Sequence, residues 1–289
     1  LGFAELTSAT GFSRFEDEGQ RDQTDLLITL EYSYEAFPTF TAFTFEEGRE
    51  ERINQEVRLV STHDGPFNWI VGGFYNNLRT WGSSTEFTPG YSAFVGATPG
   101  ADLEYFSIAN DETEETAIFG EIGYDITDRW SVTVGGRYYE YDVQAVASQS
   151  FPLGNAAFVR SSLDEIKDTP FDPDLAQSRS GELFKFNTAY DITDDVLVYF
   201  TYSEGYRIGG RNGVTPCPDL GPDATVQQGA CALSPGQEFL ESDGSRGVST
   251  RDETEFGPDT TANYELGFKS TILDGTLDLN GAAYYIEWE

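Results

Sequence analysis

Residues 124–143 read Tyr124-Asp-Ile-Thr-Asp-Arg-Trp130-Ser-Val-Thr-Val-Gly-Gly-Arg-Tyr138-Tyr-Glu-Tyr-Asp-Val143, and this stretch decides the fold. Trp130, Val132, Val134, Gly136 and Tyr138 fall on one side of an extended chain, and Ser131, Thr133, Gly135 and Arg137 on the other. Strand side chains alternate between two faces, so a period of two sustained this long is a strand with one apolar and one polar face. Thr116–Tyr124 precedes it in the same pattern, and the polar residues 125–129 make the two a hairpin.

Outward from this hairpin the same wording returns. Tyr124-Asp-Ile-Thr-Asp128 recurs letter for letter as Tyr190-Asp-Ile-Thr-Asp194. It separates Glu182–Tyr190 from Val196–Arg207, where Val196, Val198, Phe200 and Tyr202 oppose Tyr199, Thr201, Ser203 and Arg207. Two more pairs fit: Ile53–Val60 with Phe67–Asn77 across residues 61–66, and Thr261–Thr271 with Thr276–Trp288 across 272–275. In the last strand Leu277, Leu279, Ala283 and Tyr285 oppose Thr276, Asp278, Asn280 and Tyr284. Gly2–Ser13 reads as an opening strand, and about 15–51 as its loop plus strand extensions, giving nine strands. The intervals are unequal, so the unit is a recurring hairpin and not a solenoid repeat.

Connections alternate between tight turns and polar stretches, roughly 79–112, 144–181 and 208–260. Loops this long are uncommon in compact soluble domains but expected on the outer side of a bacterial outer-membrane barrel, whose periplasmic turns are short. Aromatics crowd the strand ends (Trp69 and Tyr75, Tyr138 and Tyr139, Tyr202 and Tyr206, Tyr284 and Trp288), as two interfacial belts require. No run of 18 apolar residues could form a spanning helix, and a mean hydropathy of -0.41 fits strands that are half polar. An odd number of strands cannot close such a barrel, and an open edge cannot face lipid. With Leu1 in place of an initiating Met, these features point to a piece of a longer chain.

Fifty acidic against 17 basic residues give a net charge of -33, which excludes nucleic acid as a partner. Cys217 and Cys231, the only cysteines, share one long polar segment, as a disulfide candidate within an external loop or as two free thiols. His63 is the only histidine and stands in a short turn, so neither a zinc cage nor a Ser/His/Asp triad is readable. Gly72-Gly73, Gly135-Gly136 and Gly209-Gly210 lie in strands with no helix following, which excludes a phosphate loop. The reading contains no enzyme and no cofactor.

Five phrases in order carry a family resemblance: Leu6-Thr-Ser-Ala-Thr-Gly-Phe12, Gln55-Glu-Val-Arg-Leu59, Trp69-Ile-Val-Gly-Gly-Phe-Tyr75, Tyr199-Phe-Thr-Tyr-Ser-Glu-Gly-Tyr-Arg-Ile-Gly-Gly-Arg-Asn212 and Asn263-Tyr-Glu-Leu-Gly-Phe-Lys269. Together they resemble the barrel part of a TonB-dependent outer-membrane receptor over residues 1–289. The resemblance implies an all-β fold, an antiparallel transmembrane β-barrel present here in part, about nine of 22 strands, around an N-terminal plug. It also implies uptake of a scarce nutrient, foremost an iron–siderophore complex, with work supplied by the TonB complex through an N-terminal region. Outer-membrane lipid and lipopolysaccharide would surround it. The plug, the TonB-contacting segment and the C-terminal closing strands are absent from these residues. A passive porin and a soluble β-sheet binding module are the rival readings.

Tyr206, Arg207 and Arg211 flank Gly209-Gly210 where a strand meets a long loop. They read either as a rim facing an anionic ligand or as a strand end in which glycine permits bending and Arg pairs with carboxylates. Glu56, Arg58, Glu121, Arg137, Glu265 and Lys269 fall on polar faces, where mixed charges fill a wet interior. The acidic runs at 46–51, 111–115 and 252–255 lack calcium-loop spacing and read as solvated loop surface.

Overall fold

A computed structural model describes residues 2–29, 34–62, 64–96, 102–150, 176–211, 233, 236–240, 245–250 and 255–289. His63 lies outside the described residues. Seven strands come first: β1 (Ala4–Asp22), β2 (Phe43–Ser61), β3 (Phe67–Phe87), β4 (Leu103–Thr127), β5 (Trp130–Ser150), β6 (Gln177–Thr193) and β7 (Val196–Arg207). Four short ones follow, β8 (Gly210–Arg211), β9 (Glu238–Leu240), β10 (Arg246–Val248) and β11 (Glu255–Phe256), then β12 (Asp259–Ile272) and β13 (Leu277–Trp288). Among the described residues helix is confined to α1 (Thr24–Thr29), a 3-10 turn at Tyr34–Ala36 and α2 (Tyr91–Phe94). Nine strands make one antiparallel sheet in the order β1-β2-β3-β4-β5-β6-β7-β12-β13, as the sequence predicts. β1 and β13 end that order.

The repeated Tyr-Asp-Ile-Thr-Asp word has a backbone cause. In one copy the Asp125 N–H donates to the Pro66 carbonyl at 2.8 Å, and in the other Asp191 N–H donates to the Arg129 carbonyl at 2.8 Å. Each therefore ties its hairpin to the preceding turn, and Thr271 N–H does the same to Asp195 at 2.9 Å. Thr127 Oγ1 accepts the N–H of Arg129, and Thr193 Oγ1 that of Asp195, both at 3.3 Å. A hydroxyl two residues ahead satisfies the turn, as Thr side chains do in such bends. The β12–β13 turn is built differently, with Leu273 (φ 56), Asp274 (φ 54) and Gly275 (φ 82) all left-handed.

The strands run much further than their alternation shows. β3 continues beyond Asn77 to Phe87, β4 begins at Leu103 and not Thr116, β5 passes Val143 to Ser150, and β6 starts at Gln177. Residues 79–87 and 103–112 of the first polar stretch, and 144–150 and 177–181 of the second, are thus strand, not loop. Above the level of lipid both faces of a strand meet water or protein, so hydrogen-bonded pairing persists without an apolar face. The turns shrink in step, to Asp128-Arg129 and Asp194-Asp195.

The chain divides into two compact units. The first (Leu1–Val60, Val71–Ile118 and Tyr138–Gly181) holds two small cores: Leu27, Tyr34, Phe40, Ala42 and Tyr91, and Trp81, Phe106 and Ile108. The second (Ser61–Ile70, Phe119–Arg137 and Glu182–Glu289) buries one hydrophobic side chain among the described residues, Leu233. Its Ile122, Tyr124, Val134, Leu266 and Phe268 are exposed at alternate positions, Leu266 by 64%. Between them Glu121, Gly123, Arg137 and Glu265 are half-buried or buried. This is the burial pattern of a soluble sheet turned inside out, and it fits strands whose apolar face meets lipid.

Candidate functional site

The rim proposed from sequence sits at the top of β7. Arg207 is opposite Asp259 and Tyr206 opposite Thr260 in the β7–β12 register. The Arg207 guanidinium is hydrogen-bonded to the Asp259 carboxylate and lies 5.6 Å from the centre of the Trp288 ring on β13. Its charge is thus matched by a carboxylate and an aromatic face. Gly209 and Gly210 let the chain cross closely. A Cβ on Gly209 would stand 2.4 Å from the Phe256 carbonyl oxygen, and on Gly210 2.9 Å from the Phe256 ring. Arg211 pairs through its backbone with Glu255; its side chain, with Cys217 and Cys231, lies outside the described residues. Tyr206 and Arg207 share one strand end.

The polar-face residues are engaged with one another. Lys185 Nζ reaches Glu121 Oε1 at 2.9 Å, and Arg58 Nη1 lies 3.5 Å from Glu56 Oε1. Tyr199 donates its hydroxyl to Glu265 at 2.6 Å. The opposite face carries an aromatic rung: Tyr202, Tyr264 and Tyr285 stand directly across from one another on β7, β12 and β13, with ring centres 5.1 and 6.3 Å apart. One belt assignment changes. Tyr139 is 3% exposed, folded over Gly181 and beside Tyr141, because the missing side chain at Gly181 leaves a hollow that an aromatic ring fills.

A built cap over the strand ends was not legible from sequence. Residues 23–29 and 34–42 meet at their root, where Gln23 N–H donates to the Ala42 carbonyl at 2.9 Å and Ala42 N–H to Thr24 Oγ1 at 3.0 Å. Tyr34 stacks on Phe40 at 4.6 Å and meets Tyr91 of α2 edge-on at 4.8 Å, while Phe37 packs on Phe94 at 4.9 Å. Two loops distant in sequence therefore share one aromatic cluster. Asp102 clasps the second loop by accepting the N–H of Gly90 at 3.0 Å and the hydroxyl of Ser92 at 2.5 Å. Those donors hold its carboxyl below the usual aspartate range. Beneath the cluster, Tyr34 donates to Glu104 at 2.8 Å and Gln23 to Glu86 at 3.4 Å. The only sequence signal was the aromatic spacing of Tyr34, Phe37 and Phe40. Among the described residues no three His, Cys, Asp or Glu side chains converge on one point.

A family model described as TonB dependent receptor-like, beta-barrel matches residues 6–289. Solved structures with the same fold include the ferric yersiniabactin uptake receptor FyuA from Yersinia pestis, at 15% identity and TM-score 0.57, with 99% of this chain covering 36% of that one. The siderophore receptor PiuA from Acinetobacter baumannii matches at 12% identity and TM-score 0.53, with 98% of this chain covering 37%. Copper transporter OprC matches at 10% identity and TM-score 0.53, with 98% covering 37%. The chain spans a little over a third of the length of these structures. At such identities the likeness is one of fold.

Proposed function

The chain belongs to the TonB-dependent receptor family, as part of its outer-membrane β-barrel, and from that premise we propose that the whole protein is an active-transport receptor for a scarce nutrient, foremost a ferric siderophore. The observation that carries the reading is the inverted burial of the strands, apolar side chains outward and paired charges on the other face, in a chain whose family consists of transport receptors. Lipid and lipopolysaccharide would contact the Leu266–Phe268 face, and TonB would act through the N-terminal region of the full protein. Siderophore receptors among the similar folds support iron before other cargoes. Tyr206, Arg207 and Arg211 would form part of the rim that meets an anionic ligand. Neither the porin nor the soluble-module reading has an observation in its favour.

Uptake of labelled ferric siderophores by intact cells tests this, comparing wild type, a deletion of the whole gene and the complemented deletion, with and without a protonophore. The proposal expects uptake that needs both the gene and the proton-motive force. Uptake indifferent to the protonophore would overturn active transport; dependence on another nutrient in the same assay would replace iron.

A further inference from the structure

On the polar face of the strands, glycines are roofed by side chains from the neighbouring strand, and one case joins three strands. Glu121 of β4 passes over Gly135 of β5 and ends on Lys185 of β6, with Oε1 2.9 Å from Nζ. Adjacent strands stand ~4.8 Å apart, so this ion pair crosses ~10 Å of sheet and must lie along it. A Cβ on Gly135 would stand 2.8 Å from Glu121 Cγ, so the missing side chain is what lets the bridge lie down. The arrangement recurs in each unit. Asn68 covers Gly123, Asp17 covers Gly48, and Asn54 Oδ1 lies 2.6 Å from where a Cβ on Gly11 would be. The apolar face differs: a Cβ on Gly73 or Gly120 would meet only backbone oxygens, at 3.8 and 3.2 Å, and the cover over Gly281 is the Phe268 ring.

We propose that these glycines are clearance positions, Gly135 foremost: they let long polar side chains lie flat on the wall, so that a bulky solute can pass along it. This rests on the transport reading above. Strand stability alone would favour a β-branched residue at position 135, since an interior glycine weakens a strand and leaves nothing to pack. A carboxylate stem gives back little apolar cover, unlike the tyrosine ring over Gly267. What glycine supplies is room. The flattened bridge keeps the bulk of Glu121 and Lys185 out of the passage. It also matches their charges, so the wall presents less to hold an ionic solute. With a side chain at 135, Glu121 would have to stand away from the sheet, lose Lys185 and project as a single negative charge.

Two measurements on the full-length receptor test this. In a double-mutant cycle, Glu121→Gln and Lys185→Gln should couple by about twofold to fivefold in the unfolding equilibrium in detergent, as half-exposed pairs do, and the coupling should vanish in a Gly135→Ala background. In intact cells, Gly135→Ala should lower the maximal uptake rate several-fold for the labelled ferric siderophore that the wild type takes up, with its binding to the cell surface unchanged. Combining Gly135→Ala with Glu121→Ala should restore the rate, because nothing is left to be pushed into the passage. Coupling that survives Gly135→Ala would overturn the flattened bridge. Uptake untouched by Gly135→Ala, or a double variant as slow as the single one, would overturn the clearance role. Energy-dependent uptake missing from the wild type itself would remove the transport reading and the clearance role with it, while the cycle decides the bridge on its own.

Discussion

Tyr199 reaches across from β7 to lie over Gly267 of β12, so close that a Cβ on Gly267 would stand 2.5 Å from the ring and its hydroxyl oxygen. The two residues are directly paired in register, and the hydroxyl continues to Glu265 at 2.6 Å. A strand glycine leaves ladder and side-chain surface uncovered, and a cross-strand aromatic restores both contact and register.

Gly267→Ala is therefore expected to destabilise the barrel by about 1–3 kcal/mol, as overpacking does, since the ring must leave its place. Tyr199→Phe keeps the cover and loses only the hydrogen bond, so its effect should be smaller. Thermal unfolding of the full protein in detergent, followed by the loss of compact electrophoretic mobility, ranks the two. The reverse order would show that the Glu265 bond, not the ring, holds this joint.

Leu266 and Lys185 make a contrasting pair. Leu266→Arg places a charge on the face that carries Phe268 and the tyrosine rung, and should cost ~2–4 kcal/mol if that position is near the bilayer midplane. Lys185→Gln removes a half-exposed ion pair with Glu121 and should cost at most ~1 kcal/mol. Folding yields into lipid vesicles under a urea titration measure both. Equal costs would contradict the assignment of faces.

Arg207 and Arg211 should part company in transport. Asp259 already neutralises Arg207, so Arg207→Ala should loosen the β7–β12 end more than it weakens ligand capture. Arg211→Ala should raise the KM for ferric siderophore uptake several-fold with little change in maximal rate, as loss of a charge-assisted contact to an anionic ligand does. A larger KM effect from Arg207 would assign the rim to that residue.

The strands were legible where an apolar face opposes a polar one. Trp130 to Tyr138 alternates cleanly because the two environments differ, whereas Leu103 to Asn110 is equally strand yet carries no such contrast. Tight turns were legible because Asp, Thr and Gly act locally, within two residues. The cap was not. Tyr34 finds Glu104 70 positions away, and Arg207 finds Asp259 52 positions away, and such pairings leave no periodic trace in the chain. Tyr139 was misread for the same reason, its place being set by Gly181 on the neighbouring strand.

Asp102 gives the second loop a pH dependence of its own. Its carboxylate is stabilised by the Gly90 N–H and by Ser92, so its value in the folded loop lies below the ordinary 3.8. A depressed carboxyl contributes stability that is complete above the unfolded value and is lost as pH falls through the folded one. The second loop should therefore stay ordered at neutral pH and loosen only below about pH 3.8. Asp102→Asn removes the charge and leaves an acceptor on one side only, so it should lower amide protection over residues 88–96 at neutral pH and flatten the acid response. Amide exchange of the full-length receptor in outer-membrane vesicles across pH 3 to 8 would check both. If protection over residues 88–96 did not change on acidification, Tyr91 packing on Tyr34 would be the dominant tie and the Asp102 clasp a minor one.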